Sequence, residues 1–161
     1  MVMIQFFAPD FSNAHHQAAI VGLMDEYAGG ISGGGQGLPV ETKENLIKEL
    51  AVRPTCHVLL GMDEGTPVGV AICFEAFSTF ACRPILNIHD FAISPAYQGR
   101  GLARELLLKI EEVARGLGCC KATLEVLEGN AVAKHVYEKF GFVGYELDPA
   151  MGQAFFMEMK L

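Results

Sequence analysis

A glycine-rich turn is the part of the sequence best suited to binding an anion. Residues 94–103 read SPAYQGRGLA, in which small and larger residues alternate: Gln98, Gly99, Arg100, Gly101, Leu102 and Ala103. An apolar strand-like run precedes this turn and an amphipathic run follows it, so a new helix begins here with backbone N–H groups that lack intrahelical partners. The helix dipole adds partial positive charge at the same place, which favours a phosphate group. Arg100 and Arg104 add charge at its rim.

Two common phosphate-binding motifs do not fit this turn. It lacks the Gly-Lys-Ser/Thr end of a P-loop. It also lacks the complete GxGxxG pattern with an acidic residue about 20 positions later that dinucleotide sites use. Taken alone, the turn leaves open an ordinary strand-to-helix connection that binds nothing.

Hydrophobic periodicity predicts helices and strands on both sides of this turn. The predicted helices cover 11–28 (with Asp10 as N-cap), 41–51, 103–117 and 131–140, and the predicted strands cover 56–62, 68–77, 85–93, 121–127, 141–145 and 155–160. This order predicts an α/β fold with a mixed central sheet of about six to seven strands and helices on both faces. The glycine-dense segment 29–39 is either a flexible connector or a lid over a site.

Length and composition predict a single domain over residues 1–161, with 51% hydrophobic and 19% charged residues. The net charge of −7 without a basic stripe argues against a nucleic-acid partner. No apolar run approaches the roughly 20 residues of a membrane helix, and Met1 to Pro9 lacks the Lys or Arg of a secretory signal. Five cysteines without a CxxC pair suit reduced thiols, so we expect a cytoplasmic protein. His15 and His16 have no further ligand at metal-binding spacing, so no metal is expected.

The turn and a second motif together resemble the GNAT superfamily of N-acetyltransferases. QGRGLA at 98–103 is similar to that superfamily's pyrophosphate motif, (Arg/Gln)-x-x-Gly-x-(Gly/Ala). LEVLEGNAVAKHVYEKFGF at 124–142 resembles its second signature, an Asn followed by an Ala-rich helix with a Tyr. The resemblance implies the GNAT fold, with a V-shaped opening between two parallel central strands, 85–93 and 121–127. It also implies acetyl-CoA as co-substrate and raises the expectation of a homodimer.

The same resemblance assigns the cofactor contacts to three segments. Backbone groups of one strand would pair with the pantetheine arm, the turn would hold the pyrophosphate, and the second signature would contact the arm from the other side. The residues so assigned are Phe91, Ala92, Ile93, Gln98, Gly99, Arg100, Gly101, Leu102, Ala103, Arg104, Asn130, Ala133 and Tyr137.

Acetylation of an amine needs a proton donor for the departing thiolate and a neutral attacking nitrogen. The resemblance assigns the donor to Tyr137, because a phenol stays protonated at neutral pH. The proton acceptor remains open between Glu125, His89, Asp90 and bulk water; His89 and Asp90 stand where polyamine acetyltransferases have a Glu-Asp pair. Because side chains alternate along a strand, His89 and Asp90 are expected on opposite faces, His89 with Phe91.

The acceptor favoured by the resemblance is a primary amine of a small molecule, namely a polyamine, a diamine or an amino acid. The segment at 73–90, CFEAFSTFACRPILNIHD, loosely resembles the corresponding part of polyamine and diamine acetyltransferases. Glu125 within LEV supports a protein N-terminal or lysine N-acetyltransferase instead. A non-enzymatic CoA-binding sensor is the third alternative.

Overall fold

The computed structural model describes residues 4–161 and contains a five-stranded sheet in the order β1-β2-β3-β4-β5. The strands are β1 (Gln5–Phe7), β2 (Cys56–Asp63), β3 (Thr66–Ser78), β4 (Arg83–Ile93) and β5 (Lys121–Leu124). β1 to β4 pair in antiparallel fashion, and β5 runs parallel to β4. The sheet is therefore mixed, as predicted. Met1 to Met3, the start of the segment considered above for a secretory signal, lie outside the described residues.

Four α-helices are present within these residues: α1 (Ala14–Gly29), α2 (Val40–Ala51), α3 (Leu102–Gly116) and α4 (Ala131–Phe140). Each of the four predicted helices is found, with ends that differ by up to three residues. The N-cap of α1 is Asn13, whose side chain accepts hydrogen bonds from the N–H groups of His15 and His16. The prediction of Asp10 as N-cap is wrong. Its carboxylate accepts hydrogen bonds from the N–H and the hydroxyl of Ser12 and so stabilises the turn before the helix.

The strand register defines two faces of the sheet, one of which packs against α1. On that face the paired residues Val58 with Ile72 and Leu60 with Val70 are buried in a cluster with α1. Residues at alternate positions, such as Cys73, point to the other face. The buried residues of α3 lie outside the α1 cluster, and α3 contacts β4 and β5; these residues are Leu102, Leu106, Leu107, Ile110 and Ala114. α1 and α3 therefore cover opposite faces of the sheet.

One extra residue interrupts the regular pairing of β4. Ile72 pairs with Asp90 while the next residue of β3, Cys73, pairs with Ile88, which makes His89 the additional residue of a β-bulge. The bulge shifts the period-2 alternation of the strand. Ile88 consequently lies on the α3 face, whereas Asp90 and Ala92 lie on the α1 face.

Three strand predictions need correction. β1 was not expected. In it Phe6 pairs with Gly61 of β2, and its ring occupies the space that a side chain at position 61 would fill, since a Cβ there would lie 2.4 Å from the ring. The predicted strands over 141–145 and 155–160 are wrong, since that part of the described chain has only an isolated bridge between Glu146 and Gln153. A single bridge lacks the neighbouring strands that stabilise a ladder. The sheet accordingly has five strands instead of six or seven.

Residue contacts divide the chain into two units that meet in sequence at Leu124 and Glu125. The first unit contains the sheet and α1 to α3. The second contains α4, a short 3-10 helix (Pro149–Met151) and a C-terminal segment with exposed apolar side chains, including Phe155, Phe156, Met157 and Met159. A single domain over 1–161 stays a prediction.

Candidate functional site

The turn between β4 and α3 has the backbone shape of an anion-binding site. β4 ends at Ile93, a 3-10 helix (Pro95–Tyr97) follows, and α3 begins at Leu102. Gly99 and Gly101 have φ angles of 75° and 81°, in the left-handed region that favours glycine. A Cβ added to either glycine would meet no atom within 4 Å, so the space above the turn is open. The turn therefore combines the conformation and the room that an approaching phosphate needs.

Backbone N–H groups at the start of α3 supply the donors for such an anion. Gly101 is the N-cap and carries no side chain that could satisfy them. Arg104 and Glu105 donate their N–H groups to the Gly101 carbonyl, at 3.0 and 3.3 Å. Leu102 and Ala103 lie in the first turn, where N–H groups have no carbonyl one turn earlier. We name the segment from Gln98 to Arg104 the phosphate cradle.

The long side chains of the phosphate cradle have different surroundings. Gln98 donates from Nε2 to the Ile93 carbonyl at 3.1 Å, which ties the turn to the end of β4. The Arg100 guanidinium lies over the ring of Tyr97, 4.8 Å from its centroid, and donates to the Ala96 carbonyl at 2.9 Å. Arg104 is exposed and lies 3.8 Å from the Glu105 carboxylate. Tyr97 is not among the predicted site residues; its only signal in the sequence is an aromatic residue three positions before Arg100.

β4 and β5 separate next to this turn. Their last pair is Ile88 with Leu124, whereas β4 continues for five more residues to Ile93. Residues 89–93, among them Ala92 and Ile93, thus extend beyond the parallel ladder and lead directly into the turn. The predicted opening between 85–93 and 121–127 would lie where this ladder ends. The ladder ends directly before the β-bulge at His89, and a bulge bends the strand that carries it.

The bulge also overturns the prediction that His89 and Asp90 lie on opposite faces. The His89 ring makes an edge contact with Phe74 at 5.6 Å, and Phe74 packs against the α1 cluster. Asp90 pairs with Ile72, which belongs to the same cluster. Both side chains therefore lie on the α1 face, since regular alternation does not hold across an inserted residue.

Asp90 is in an environment that disfavours its charged form. Burial raises the pKa of its carboxyl above the ordinary value of 3.8, and the nearby His89 partly offsets this increase. Tyr27, near the end of α1, is a second titratable group on this side. Burial raises the pKa of its phenol, and the charge of Asp90 raises it further. The α1 face beside the opening thus carries an imidazole, a carboxyl and a phenol.

The remaining predicted site residues belong to the second unit. Glu125 directly follows β5 and is exposed, because the strand ends three residues earlier than predicted. Asn130 caps α4 by accepting a hydrogen bond from the Ala133 N–H at 3.2 Å. Tyr137 is buried, and its ring packs edge-on against Phe142 with centroids 5.9 Å apart. Their roles in binding or catalysis stay predictions.

The glycine-dense segment 29–39 is anchored at both ends to α1. Gly30 donates its N–H to the Tyr27 carbonyl at 3.0 Å, and a 3-10 helix (Ile31–Gly33) follows. At the other end, the Leu38 N–H donates to the Asp25 carboxylate at 2.7 Å, and Lys43 forms an ion pair with the same carboxylate. These contacts favour a fixed connector over a freely moving lid.

Neither a metal-binding cluster nor a membrane-spanning helix occurs in the described part of the chain. No group of three or more His, Cys, Asp or Glu side chains in residues 4–161 is arranged to hold a metal ion. In the same part of the chain, each helix is too short or too polar to cross a membrane.

Comparison with known proteins gives one family match and several relatives. The model of the acetyltransferase (GNAT) family matches residues 8–142. Streptothricin acetyltransferase of Streptomyces lavendulae is 36% identical over 80 residues, which is 50% of this chain and 42% of that protein. Thialysine N-epsilon-acetyltransferase of Caenorhabditis elegans is 30% identical over 104 residues, or 65% of this chain and 64% of that protein. The similarity spans 42% of the length of streptothricin acetyltransferase and 43% of that of the thialysine N-epsilon-acetyltransferase of Bos taurus, less than half of either protein.

The fold has equivalents among solved structures. AAC(6')-Iy in complex with the bisubstrate analog CoA-S-monomethyl-acetylneamine superimposes with a TM-score of 0.77 at 16% identity. That superposition covers 99% of this chain and 100% of the other. At such low identity the similarity concerns the fold alone.

Proposed function

The chain belongs to the acetyltransferase (GNAT) family, and from this premise we propose that it transfers an acetyl group from acetyl-CoA to a primary amine of a small molecule. The observation that carries the proposal is the phosphate cradle. Its two left-handed glycines, its open space and the helix N-terminus fit a diphosphate. A cradle of this kind suits the pyrophosphate of CoA.

The end of β4 is the proposed binding edge for the pantetheine arm. Ala92 and Ile93 lie past the last pair with β5 and immediately before the cradle. An extended arm can therefore run along this edge while its pyrophosphate lies at Gly99 and Gly101. When bound, acetyl-CoA supplies the acetyl group as a thioester. A backbone N–H of residues 91–93 would donate to the thioester carbonyl and polarise it.

Two protons must move during the reaction. We assign the donor to Tyr137, which would protonate the sulfur as the carbon–sulfur bond breaks and the carbon–nitrogen bond forms. For the proton lost by the amine, the structure supports Asp90 more than Glu125. Burial raises the pKa of Asp90, and a base with a higher pKa accepts a proton more readily near neutral pH. His89, on the same face, is the alternative within β4.

The acceptor class follows from charge and from the relatives. A protein with a net charge of −7 attracts a cationic amine, and the carboxyl of Asp90 offers a partner for its ammonium group. The names of the relatives above refer to streptothricin and thialysine, both small molecules with amino groups. Polyamines, diamines and amino acids are therefore the proposed acceptors. Glu125 within LEV still favours a peptide N-terminus as the second candidate.

Two measurements test the proposal. Binding of CoA at one hundred times its Kd should stabilise the fold by about 2.7 kcal/mol, which corresponds to a rise in Tm of roughly 5–10 °C. Release of free CoA should then be followed with polyamines, diamines, amino acids and N-terminal peptides. Turnover on a small amine supports the proposal. Preferential turnover of peptides supports the second candidate, and CoA binding without turnover of any amine supports a sensor.

A further inference from the structure

We propose that Tyr97 is a positioning residue that holds the Arg100 guanidinium at the rim of the phosphate cradle, where it binds a phosphate of CoA. This inference rests on the proposed function, because the cradle must bind CoA for Arg100 to have a ligand. Three contacts carry it: one between Tyr97 and Arg100, one between Arg100 and the backbone, and one between Tyr97 and β2. All lie in the first unit.

The first two contacts determine where the guanidinium lies. Its central carbon is 4.8 Å from the centroid of the Tyr97 ring, within the distance of about 6 Å that a cation–π interaction requires. One of its nitrogens donates to the Ala96 carbonyl at 2.9 Å. A guanidinium carries five N–H donors, so this bond leaves donors for an anion. The guanidinium of Arg100, the residue that precedes Gly101 in sequence, is thus held between an aromatic face and a carbonyl.

The third contact determines where the Tyr97 ring lies. Its hydroxyl donates to the Asp63 carboxylate at 3.1 Å, and it also forms a hydrogen bond with the Thr66 side chain. Asp63 and Thr66 are the pair that closes the hairpin between β2 and β3. Tyr97 is therefore attached to the rigid end of a hairpin, 34 residues away in sequence.

The hairpin end is itself a well-defined anchor. Glu64 and Gly65 have φ angles of 45° and 87°, so both central residues of this two-residue turn are left-handed, as in a type I′ turn. The Gly65 carbonyl lies 3.0 Å from Nε2 of His15 in α1. Contacts with α1 hold the hairpin, the hairpin holds the Tyr97 ring, and the ring holds the Arg100 guanidinium.

The protonation state of Tyr97 suits this role. Partial burial and the Asp63 carboxylate raise the pKa of its phenol, although Arg100 and Thr66 act in the opposite direction. The phenol therefore keeps its proton in the neutral range and remains a hydrogen-bond donor to Asp63. A neutral ring with a fixed hydroxyl is the platform that a guanidinium needs for stacking.

Arg100 is better prepared to bind phosphate than the other arginine of the cradle. A free arginine loses side-chain entropy when it binds an anion, and prior fixation reduces this loss. Arg104 lacks such a platform among its described contacts and lies near the opposing charge of Glu105. We therefore assign the cationic contact with CoA to Arg100.

The test is a double-mutant cycle on CoA affinity, measured by calorimetry. Arg100→Gln should weaken CoA binding about tenfold or more, the usual effect of losing a charge-assisted hydrogen bond. Tyr97→Leu should weaken it about two- to fivefold, as expected for an exposed cation–π contact. The double variant should bind no more weakly than Arg100→Gln, because without the guanidinium the ring has nothing to position. Arg115→Gln removes a charge at the far end of α3 and should bind CoA like the wild type.

Three further arms separate this role from a merely structural one. Tyr97→Phe keeps the ring but loses the bond to Asp63, so its affinity should lie between those of the wild type and Tyr97→Leu. Pantetheine, which has no phosphate, should bind all variants equally. With 3′-dephospho-CoA, a persistent loss in Arg100→Gln assigns the contact to the pyrophosphate, and a vanished loss assigns it to the 3′-phosphate.

The proposal and the function on which it rests fail in different ways. If the wild type does not bind CoA, the proposed function is overturned and this inference with it. If the wild type binds CoA but Tyr97→Leu matches Arg115→Gln, only the role of Tyr97 is overturned. Additive losses in the double variant, or an equal loss with pantetheine, would also overturn it. Should Tyr97→Leu fail to fold, Tyr97→Phe decides: an affinity equal to that of the wild type then rejects the role.

Discussion

At the level of single residues, Asp90 combines a catalytic proposal with a cost to stability. Burial raises the pKa of its carboxyl above 3.8, and His89 opposes that increase. The folded state therefore holds the proton of Asp90 more tightly than the unfolded state does. Stability must then fall as the pH rises from 3.8 to the pKa of the folded state, because ionisation of Asp90 is less favourable in the folded protein.

Asp90→Asn should abolish this part of the pH dependence. In urea unfolding between pH 4 and 8, the wild type should lose stability relative to the variant by about 1.4 kcal/mol for each unit that separates the folded and unfolded pKa values. His89→Gln serves as the matched control. Without the offsetting charge of His89, the pKa of Asp90 should rise further, so this variant should lose more stability with increasing pH than the wild type does. Parallel curves for wild type and Asp90→Asn would show that Asp90 is not destabilised by burial.

The same substitution tests the proposed base. Asp90→Asn should lower kcat/KM near neutral pH, and raising the pH should recover much of the loss because more of the amine is then neutral. Glu125→Gln should keep the wild-type profile of kcat/KM against pH, whereas His89→Gln should only shift the part that reports Asp90 to higher pH, because the offsetting charge of His89 is lost. Transfer of the effect to either of these variants would move the role to that residue. Three unchanged profiles would mean that the amine loses its proton to bulk water.

Tyr137→Phe isolates the proposed proton donor. The substitution removes one hydroxyl while the ring can keep its packing against Phe142. General acid catalysis contributes about 10²–10⁴-fold, so kcat should fall by a factor in that range with CoA affinity unchanged. Tyr145→Phe, an exposed tyrosine in the same unit, is the control and should retain wild-type kcat. Full activity of Tyr137→Phe would make Tyr137 a packing residue.

At the level of elements, the turn before α3 requires glycine at Gly101 for conformation and for access. Gly101→Val forces a β-branched residue into φ 81° and places a side chain in the open space of the cradle. CoA affinity measured by calorimetry should drop at least tenfold, or about 1.4 kcal/mol. Gly118→Val has comparable backbone strain, with φ 71° and open space, at the other end of α3. A similar loss of affinity in both variants would reduce the effect to strain in α3.

The connector after α1 requires glycine for a different reason. A Cβ at Gly33 would lie 2.1 Å from the Tyr27 carbonyl oxygen, whereas one at Gly29 would meet no atom within 4 Å. Gly33→Ala should therefore destabilise the fold by about 1–3 kcal/mol, as overpacking does. Gly29→Ala, in the last turn of α1, should be neutral or slightly stabilising. Equal Tm values for the two variants would show that the connector is not anchored at Gly33.

Sequence predicts the elements well where their signals are local. The alternating small residues at 98–103 indicate the turn, and α4 is predicted with its actual bounds, from Ala131 to Phe140. β1 could not be predicted, because it depends on the space that Gly61 leaves for Phe6. The contact between Tyr97 and Asp63 joins residues 34 positions apart, which no local pattern shows. The strand predictions after residue 140 are wrong because an apolar pattern forms a strand only where a partner pairs with it.

At the level of the whole molecule, β4 connects the two layers of the fold. Before the bulge, Ile88 faces α3; after it, Ala92 faces the cluster of α1. Leu86, Ile88 and Ala92 are all buried and all occupy even positions. An uninterrupted alternation would place all three on one face. The same rule predicts His89 and Asp90 on opposite faces. The inserted residue is invisible to any pattern of period two.

The β-bulge has a genetic consequence. Deleting the codon for His89 would leave every other side chain of β4 on its present face, since Ile88 and Asp90 already occupy consecutive pairing positions on β3. Deleting the codon for Ile88 or for Asp90 would also remove the bulge, but it would place His89 in the pairing position of the lost residue. Without His89, β4 would lose the local bend that a bulge introduces. A single codon thus accounts for the irregular pairing of β4 at the place where its ladder with β5 ends.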